Sequence, residues 1–432
     1  MRPAPFALGL AALAASAQTP APLQRLSAAW QTQWTLRSRW APEQTPALGA
    51  TATPAWRVST GQAELAPTFD GTRLLLVHAV PKKLQALDPA TGRPFWNAPF
   101  TGLLDGPPQL AGDTILCPLE GGRIALLDPA SGAMRHLIQM PPWQPAADES
   151  APSRPRMLFP LKAGSTLVAG WASPSGEPRP ELALFGFDLE SGAPRWSVAL
   201  PQGSEVHPLA HGNLVLTAGG GQITAFRLSD GVQVWSTRLT RRATFESGQV
   251  ISGRLLLRTS QEVVALDATT GQLLWTQPLS DTSLLLGTGD LLVLLATKGT
   301  FNPETFVMTL DARSGRLVWE REVVSARLPW VLPRMVVVND GENLLSLDLI
   351  TGRERWRRAL GGPLLAPLQL QGPRILALHR AKSQPRISGF RLDDGGETFL
   401  LPVQDKLAPG GFLAGPQGLY LPLADGGLAG YR

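Results

Sequence analysis

Residues that could carry chemistry are few in this chain of 432 residues, which contains five histidines and one cysteine. His207 and His211 stand four apart, but they flank a turn in a strand region and have no matching acidic or Cys partner. Paired carboxylates such as Asp393 and Asp394 belong to a turn and not to an acid–base pair. The sequence has neither a phosphate-binding glycine loop nor a Gly-x-Ser-x-Gly elbow. We therefore expect no catalytic residue, no metal site and no enzyme activity.

The well-aligned carboxylates belong to a repeat. An Asp is followed four residues later by Gly and, after four more, by Trp, as in Asp267, Gly271 and Trp275. The other complete copies are Asp88, Gly92 and Trp96; Asp188, Gly192 and Trp196; Asp311, Gly315 and Trp319; and Asp348, Gly352 and Trp356. The copies that keep the spacing but change a residue are Asp128, Gly132 and His136; Arg227, Gly231 and Trp235; and Arg391, Gly395 and Phe399. Constant spacing along the chain indicates one repeated structural unit.

Each copy predicts a tight turn between two strands. Apolar residues alternate before the Asp, as at Val264 and Leu266, and a strand with the same character follows the Gly. The Asp carboxylate can accept hydrogen bonds from turn amides, and the Gly takes a positive φ without steric cost. Where Arg replaces the first Asp, Asp230 or Asp394 precedes the Gly instead of Thr or Ser. One carboxylate per turn is therefore kept, in a new position.

These units predict an all-β fold, a β-propeller of four-stranded antiparallel blades, because four strands recur with a period near 40 residues. Residues 418–421 and 427–432 supply two strands of a ninth unit, whose missing strand is present at 55–58. The count of repeats favours nine blades over eight, in a ring closed by pairing of the N-terminal strand into the last blade. The residues expected to pack neighbouring blades together are Trp56, Trp96, Trp196, Trp235, Trp275, Trp319 and Trp356.

The pattern Ala-x-Asp-x-x-Thr-Gly-x-x-x-Trp, met almost fully at 86–96 and 265–275, resembles the pyrroloquinoline-quinone-type propeller repeat. That family includes quinoprotein alcohol and glucose dehydrogenases and a non-catalytic propeller of the outer-membrane protein assembly (BAM) complex. The resemblance to the second group implies a protein-interaction scaffold in the cell envelope, without cofactor. The alternative is a protein that binds pyrroloquinoline quinone with calcium, or a degenerate dehydrogenase. Many such dehydrogenases carry adjacent cysteines over the quinone, which a chain with only Cys117 cannot form.

The N-terminal region predicts export. Residues 1–17 combine a basic start, an apolar run and a small-residue ending, which is typical of a signal peptide. No lipid-anchor Cys follows, so we expect a periplasmic or secreted protein without a transmembrane segment. Residues 18–52 form an N-terminal extension, in which strand and helix patterns compete, and the propeller spans 53–432. Cys117 lies in an apolar run and predicts a buried small hydrophobe.

Charge and loop length predict where a partner binds. A net charge of +5 is mild for this length and argues against a dedicated nucleic-acid binder. The longest predicted connections, 140–156, 171–180, 298–304 and 380–384, all fall on one face of the propeller. The candidate partner surface on that face consists of Arg154, Arg156, Arg179, Lys298, Arg380 and Lys382. It would suit an acidic loop of an envelope protein or an envelope polymer, and scattered solvated charge is the alternative. We expect the protein to be a monomer.

Overall fold

A computed structural model describes most of the chain from residue 53 onward. The ranges described are 53–59, 67–70, 72–78, 81–106, 108–141, 156–172, 182–200, 208–219, 221–239, 245–279, 282–299, 303–324, 329–403, 406–407, 411–415 and 417–432. The predicted signal peptide and the predicted extension at 18–52 lie outside these ranges.

The described residues form nine four-stranded antiparallel sheets, which we call blades 1 to 9. The strands of blades 1 to 3 are β2 (Thr68–Phe69), β3 (Leu74–His78), β4 (Lys83–Leu87), β5 (Pro94–Pro99); β6 (Gln109–Ala111), β7 (Thr114–Leu119), β8 (Arg123–Leu127), β9 (Met134–Gln139); β10 (Arg156–Ala163), β11 (Thr166–Ala172), β12 (Leu182–Asp188) and β13 (Pro194–Leu200).

The strands of blades 4 to 6 are β14 (Leu209–His211), β15 (Leu214–Gly219), β16 (Gln222–Arg227), β17 (Gln233–Arg238); β18 (Phe245–Ile251), β19 (Arg254–Thr259), β20 (Glu262–Asp267), β21 (Leu273–Pro278); β22 (Thr282–Thr288), β23 (Leu291–Lys298), β24 (Glu304–Asp311) and β25 (Leu317–Val323). The strands of blades 7 to 9 are β26 (Trp330–Leu332), β27 (Met335–Asp340), β28 (Asn343–Asp348), β29 (Glu354–Ala359); β30 (Gln369–Gln371), β31 (Arg374–Ala381), β32 (Gln384–Arg391), β33 (Glu397–Pro402); β34 (Leu413–Gly415), β35 (Gly418–Pro422), β36 (Gly427–Tyr431) and β1 (Trp56–Ser59).

The blades form a closed β-propeller, which confirms the predicted fold class. Within each blade the strands pair in chain order, and first strands of successive blades contact one another, as β14 does β18 and β18 does β22. Blade 9 takes its fourth strand from the other end of the chain, because β1 pairs antiparallel with β36 from Trp56 opposite Gly430 to Ser59 opposite Gly427. The predicted count of nine blades and the predicted closure are therefore both confirmed.

The burial pattern of each strand follows from its position in the blade. Second strands, such as β3 and β7, are buried along their whole length, because both of their faces are covered by neighbouring blades. Fourth strands, such as β5 and β25, alternate between exposed and buried residues at the outer rim. The pairing of the third and fourth strands shifts in register near the turn that joins them, for example between Ala86 and Leu87. This irregularity lets the fourth strand meet its turn.

The hydrophobic core lies between the blades and not within any one of them. One cluster joins Leu216 and Ile223 of blade 4 to Leu257 and Val264 of blade 5, and similar clusters join other neighbouring pairs. A blade cannot bury both of its faces alone, so the ring stabilises every member. Among the described residues, no helix has the length and apolarity needed to cross a lipid bilayer.

Candidate interaction surface

The two ends of the propeller differ in what they carry. Connections between the third and fourth strands of a blade lie at one end, which we call the turn face. Connections between the second and third strands, and those between blades, lie at the opposite end, which we call the hairpin face. This follows from the antiparallel order of each blade, since successive connections alternate between its two ends.

On the turn face the repeat carboxylates are occupied by their own turns. Asp267 accepts hydrogen bonds from the amides of Thr269 and Thr270, at 2.9 and 2.8 Å, and from the Thr270 hydroxyl at 3.0 Å. Asp88 accepts in the same way from the Ala90 amide and the Thr91 hydroxyl. The glycine that closes each turn has a φ of 70° at Gly92 and 73° at Gly271. The repeat carboxylates thus hold their own turns together.

The hydrogen bonds and arginines of these turns favour the ionised form of the Asp carboxyls. The guanidinium of Arg135 and the amide and hydroxyl of Ser131 lower the pKa of the Asp128 carboxyl to about 2. Asp188 has a lowered pKa as well, from its bonds to the Ser191 amide and hydroxyl and to an arginine of the outer strand. Both carboxylates are therefore ionised at any physiological pH.

The two turns that begin with Arg keep a carboxylate in the predicted way. Arg227 donates to Asp230 at 2.7 Å, and Asp230 accepts the Val232 amide at 3.1 Å. Arg391 donates to Asp394, which accepts the Gly396 amide at 2.7 Å. The carboxylate thus holds the amide that follows the glycine, and the arginine neutralises the displaced charge.

The repeat tryptophans join each blade to the next. The indole N–H of Trp319 in blade 6 donates to the carbonyl of Leu349 in blade 7 at 2.9 Å, and its ring lies against Gly352 of the same turn. Corresponding bonds run from Trp56 to Pro89, Trp96 to Pro129, Trp196 to Leu228, Trp275 to Ala312 and Trp356 to Leu392. Because Trp56 docks on the turn of blade 1, the same contact closes the ring. Trp235 rests on Gly271, but its buried N–H has no acceptor among the described residues.

A small residue faces each docking aromatic ring from the third strand, a feature that the sequence analysis did not single out. Opposite the tryptophans stand Ala86, Gly186, Ala225, Ala265, Thr309, Ser346 and Gly430, and Gly389 stands opposite Phe399. Where the smaller His136 replaces Trp, the facing residue is the larger Leu126. The sequence already contained this pattern, because the small residue stands two positions before the Asp or Arg that begins the turn, as Ala86 does before Asp88.

The predicted partner surface is only partly described. Arg154 and Arg179 lie outside the described residues, and Arg156 begins β10 without a described side chain. Lys298 ends β23 on the hairpin face, where it pairs with Glu320 and lies 4.7 Å from the Phe306 ring centroid.

Arg380 lies near the end of β31 and Lys382 in the turn that joins β31 to β32; both are exposed and lie two blades away from Lys298. Within the described part of the chain neither side chain has an ion pair or hydrogen bond. The structure thus places the three described side chains of the predicted surface on one face, but Lys298 does not join the other two in a cluster.

The hairpin of blade 8 is held in an unusual backbone conformation. Lys382 and Ser383, its two central residues, have φ values of 46° and 71°. Hairpins of this type normally place Asn or Gly at such positions, because other side chains are strained there. The turn therefore presents Lys382 to solvent at a cost in backbone energy.

The remaining chemical candidates are explained locally. His207 lies outside the described residues, and His211 lies on β14 near the carboxylate of Asp267. Cys117 is buried, and burial raises the pKa of its thiol. Within the ranges described, no three His, Cys, Asp or Glu side chains are grouped to hold a metal ion.

The family follows from the sequence as a whole. The sequence model of the family described as outer membrane protein assembly factor BamB matches residues 46–179, 181–285 and 303–399. The chain belongs to the BamB family. The predicted resemblance is thereby confirmed, and the unmatched last part of the chain contains the strands that complete blade 9. No curated protein sequence matches this BamB-family chain.

Solved structures share the fold. BamB from Moraxella catarrhalis is 20% identical with a TM-score of 0.51, over 76% of this chain and 94% of that one. The computationally designed protein Ika8 is 13% identical with a TM-score of 0.52, over 82% of this chain and all of that one. The quinohemoprotein alcohol dehydrogenase ADHIIG from Pseudomonas putida HK5 is 10% identical with a TM-score of 0.50, over 82% of this chain and 73% of that one. At these identities the likeness concerns the propeller fold alone.

Proposed function

We propose that this protein is a non-catalytic propeller of the cell envelope that acts as a protein–protein interaction scaffold in outer-membrane protein assembly. The observation that carries the proposal is the family match over most of the chain. The arrangement of the ring supports it, because the repeat carboxylates hold their own turns and the spaces between blades are filled by core side chains. The hairpin face, with its longer connections, remains for a partner. The proposal requires no cofactor, and it places the exported chain in the periplasm, in contact with envelope proteins.

Site-specific photocrosslinking tests this function. A photoreactive amino acid is placed at Lys382 on the hairpin face, and in a matched variant at Val232 on the turn face, which is also exposed. Cells producing each variant are irradiated, and crosslinked envelope proteins are identified by mass spectrometry. We expect a discrete envelope-protein crosslink from position 382 and none from position 232. The same products from both positions, or none from any hairpin-face position, would contradict the scaffold.

Quinone binding is tested separately on the purified mature protein. It is titrated with pyrroloquinoline quinone and calcium while Trp fluorescence is followed, and a titration without calcium serves as the control. The scaffold proposal expects no saturable quenching. Saturable binding in the micromolar range would favour the alternative function, and dye-linked alcohol oxidation would then be measured.

A further inference from the structure

Arg386 of blade 8 is a partly buried cation that has no partner among the described residues. It lies on β32, opposite His379 of β31, and its guanidinium approaches the connection that enters the blade, with Nη2 3.7 Å from the Cβ position of Gly361. Its Nε atom is buried and has no hydrogen-bond acceptor among the described residues. A buried donor on a charged group normally finds an acceptor, so its absence here requires an explanation.

Blade 2 contains the same local structure. In both blades the entering connection forms a bridge to the second strand, Leu104 to Leu119 in blade 2 and Leu364 to His379 in blade 8. In both, the next amide of the hairpin donates to the connection, from Glu120 to Leu103 and from Arg380 to Pro363. The equivalent residues are Thr101 and Gly361, Leu103 and Pro363, Glu120 and Arg380, and Arg123 and Arg386.

In blade 2 the arginine is satisfied within the chain. Arg123 donates from Nη1 to the Thr101 hydroxyl at 2.9 Å and from Nε to the Glu120 carbonyl at 3.1 Å. The Glu120 carboxylate accepts the Leu103 amide at 3.2 Å. The Arg123 guanidinium thus has a hydroxyl and a carbonyl as acceptors, and the Glu120 carboxylate is occupied by a neighbouring amide.

In blade 8 the side-chain acceptors are absent. Gly361 has no hydroxyl in place of that of Thr101, and Arg380 replaces the acidic Glu120. In blade 2 the Leu103 amide donates to the Glu120 carboxylate. The equivalent residue of blade 8, Pro363, has no amide hydrogen, so blade 8 needs no acceptor at that place. Lys382 adds a third cation on the strained hairpin. Within the described residues, none of the side chains of Arg380, Lys382 and Arg386 has an ion pair or a hydrogen bond.

We propose that Arg386 binds a carboxylate presented by an acidic segment of a partner protein. Arg380 stands opposite Pro385 and so points to the other face of the hairpin from Arg386; Arg380 and the exposed Lys382 attract the acidic segment without sharing its carboxylate. The inference rests on the scaffold function and names the chemistry of its partner. A planar guanidinium donates hydrogen bonds to both oxygens of a carboxylate, so an Asp or Glu from a partner supplies acceptors of the kind that Arg123 finds within its own chain. The absence of side-chain acceptors in blade 8 keeps its guanidinium available to that partner.

Peptide binding tests the carboxylate site. The probe is a fluorescein-labelled hexaglutamate peptide, with hexaglutamine as its neutral counterpart, and binding to the mature protein is followed by fluorescence anisotropy at low salt. We expect R386Q and R380E each to weaken hexaglutamate binding about tenfold or more, since R386Q removes the charge-assisted bond and R380E reverses a positive charge on the same hairpin. The matched control is R123Q, which changes the equivalent arginine of blade 2 and should bind the peptide as the wild type does.

The variants also guard against a folding artefact. R386K keeps the charge but loses the planar fork, so it should bind hexaglutamate with intermediate strength, and thermal melts show whether each variant is folded. Unchanged binding in folded R386Q, or an equal loss in R123Q, would overturn the site. Binding of phosphatidylglycerol vesicles or of inorganic phosphate without binding of hexaglutamate would also overturn it, by assigning the cations to phosphate. If the crosslink from position 382 persists while hexaglutamate does not bind, the carboxylate site fails and the scaffold stands.

Discussion

Replacing Trp319 and Trp235 by Phe, one at a time, isolates the hydrogen bond that joins blades. Both rings are 9% exposed and both lie against the glycine of the following turn, so the loss of buried apolar area should be similar. They differ in the indole N–H, which in Trp319 donates to the buried Leu349 carbonyl at 2.9 Å and in Trp235 has no acceptor. W319F leaves a buried carbonyl unpaired, whereas W235F removes a buried donor that was already unpaired.

The expected difference follows from the energetics of buried hydrogen bonds. An acceptor left unpaired in the interior costs about 1–3 kcal/mol, so W319F should lower the free energy of unfolding by about that much more than W235F. Urea denaturation followed by circular dichroism measures both variants against the wild type, and equal denaturant slopes show that the midpoints are comparable. A W235F variant as destabilised as W319F would refute the role of the indole bond and leave ring packing as the only contribution of the tryptophan.

Three further outcomes are expected. G352A should destabilise the protein by about 1–3 kcal/mol more than G289A in thermal melts, because both glycines have positive φ but only a Cβ at 352 would lie 2.6 Å from the Trp319 ring; equal losses would contradict the steric argument. Cys117 should react with a thiol reagent at pH 8 only after denaturation, since burial raises the pKa of its thiol; rapid labelling of the native protein would oppose this. Burial and the nearby Arg386 lower the pKa of His379 to about 4, below the value of about 6.5 in an unfolded chain. Its contribution to stability is therefore complete above about pH 6.5 and falls as the pH drops toward 4, and urea midpoints of H379N should depend less on pH in that window.

The fold could be predicted from the sequence because the repeat encodes a contact as well as a shape. The spacing from Asp267 to Gly271 to Trp275 specifies a turn, the glycine against which the preceding blade's Trp packs, and a Trp for the blade that follows. Once that unit recurs, the number of blades and the closure by Trp56 are consequences of counting.

The interaction surface could not be predicted to the same degree, because ion pairs depend on which strands become neighbours. Lys298 looked free in the sequence, yet it pairs with Glu320 of β25, two strands away in the same blade. Arg123 and Arg386 both begin a third strand or stand near its start, and only the connections that pack on them distinguish the two. Aligning the residues 101–104 with 361–364 would have shown the difference, but that alignment requires the blade register.

Departures from the repeat have local explanations in most blades. Phe399 replaces Trp at the end of blade 8, and the blade that follows has no third-to-fourth-strand turn, because β36 and β1 come from opposite ends of the chain. An indole N–H would have no turn carbonyl to reach there, and Phe has no N–H to satisfy. His136 is matched by a larger residue opposite it, Leu126. Arg386 differs from these, because no change nearby compensates for its missing acceptors. A local inconsistency that the rest of the fold does not offset is where a function is expected, and this one lies on the hairpin face.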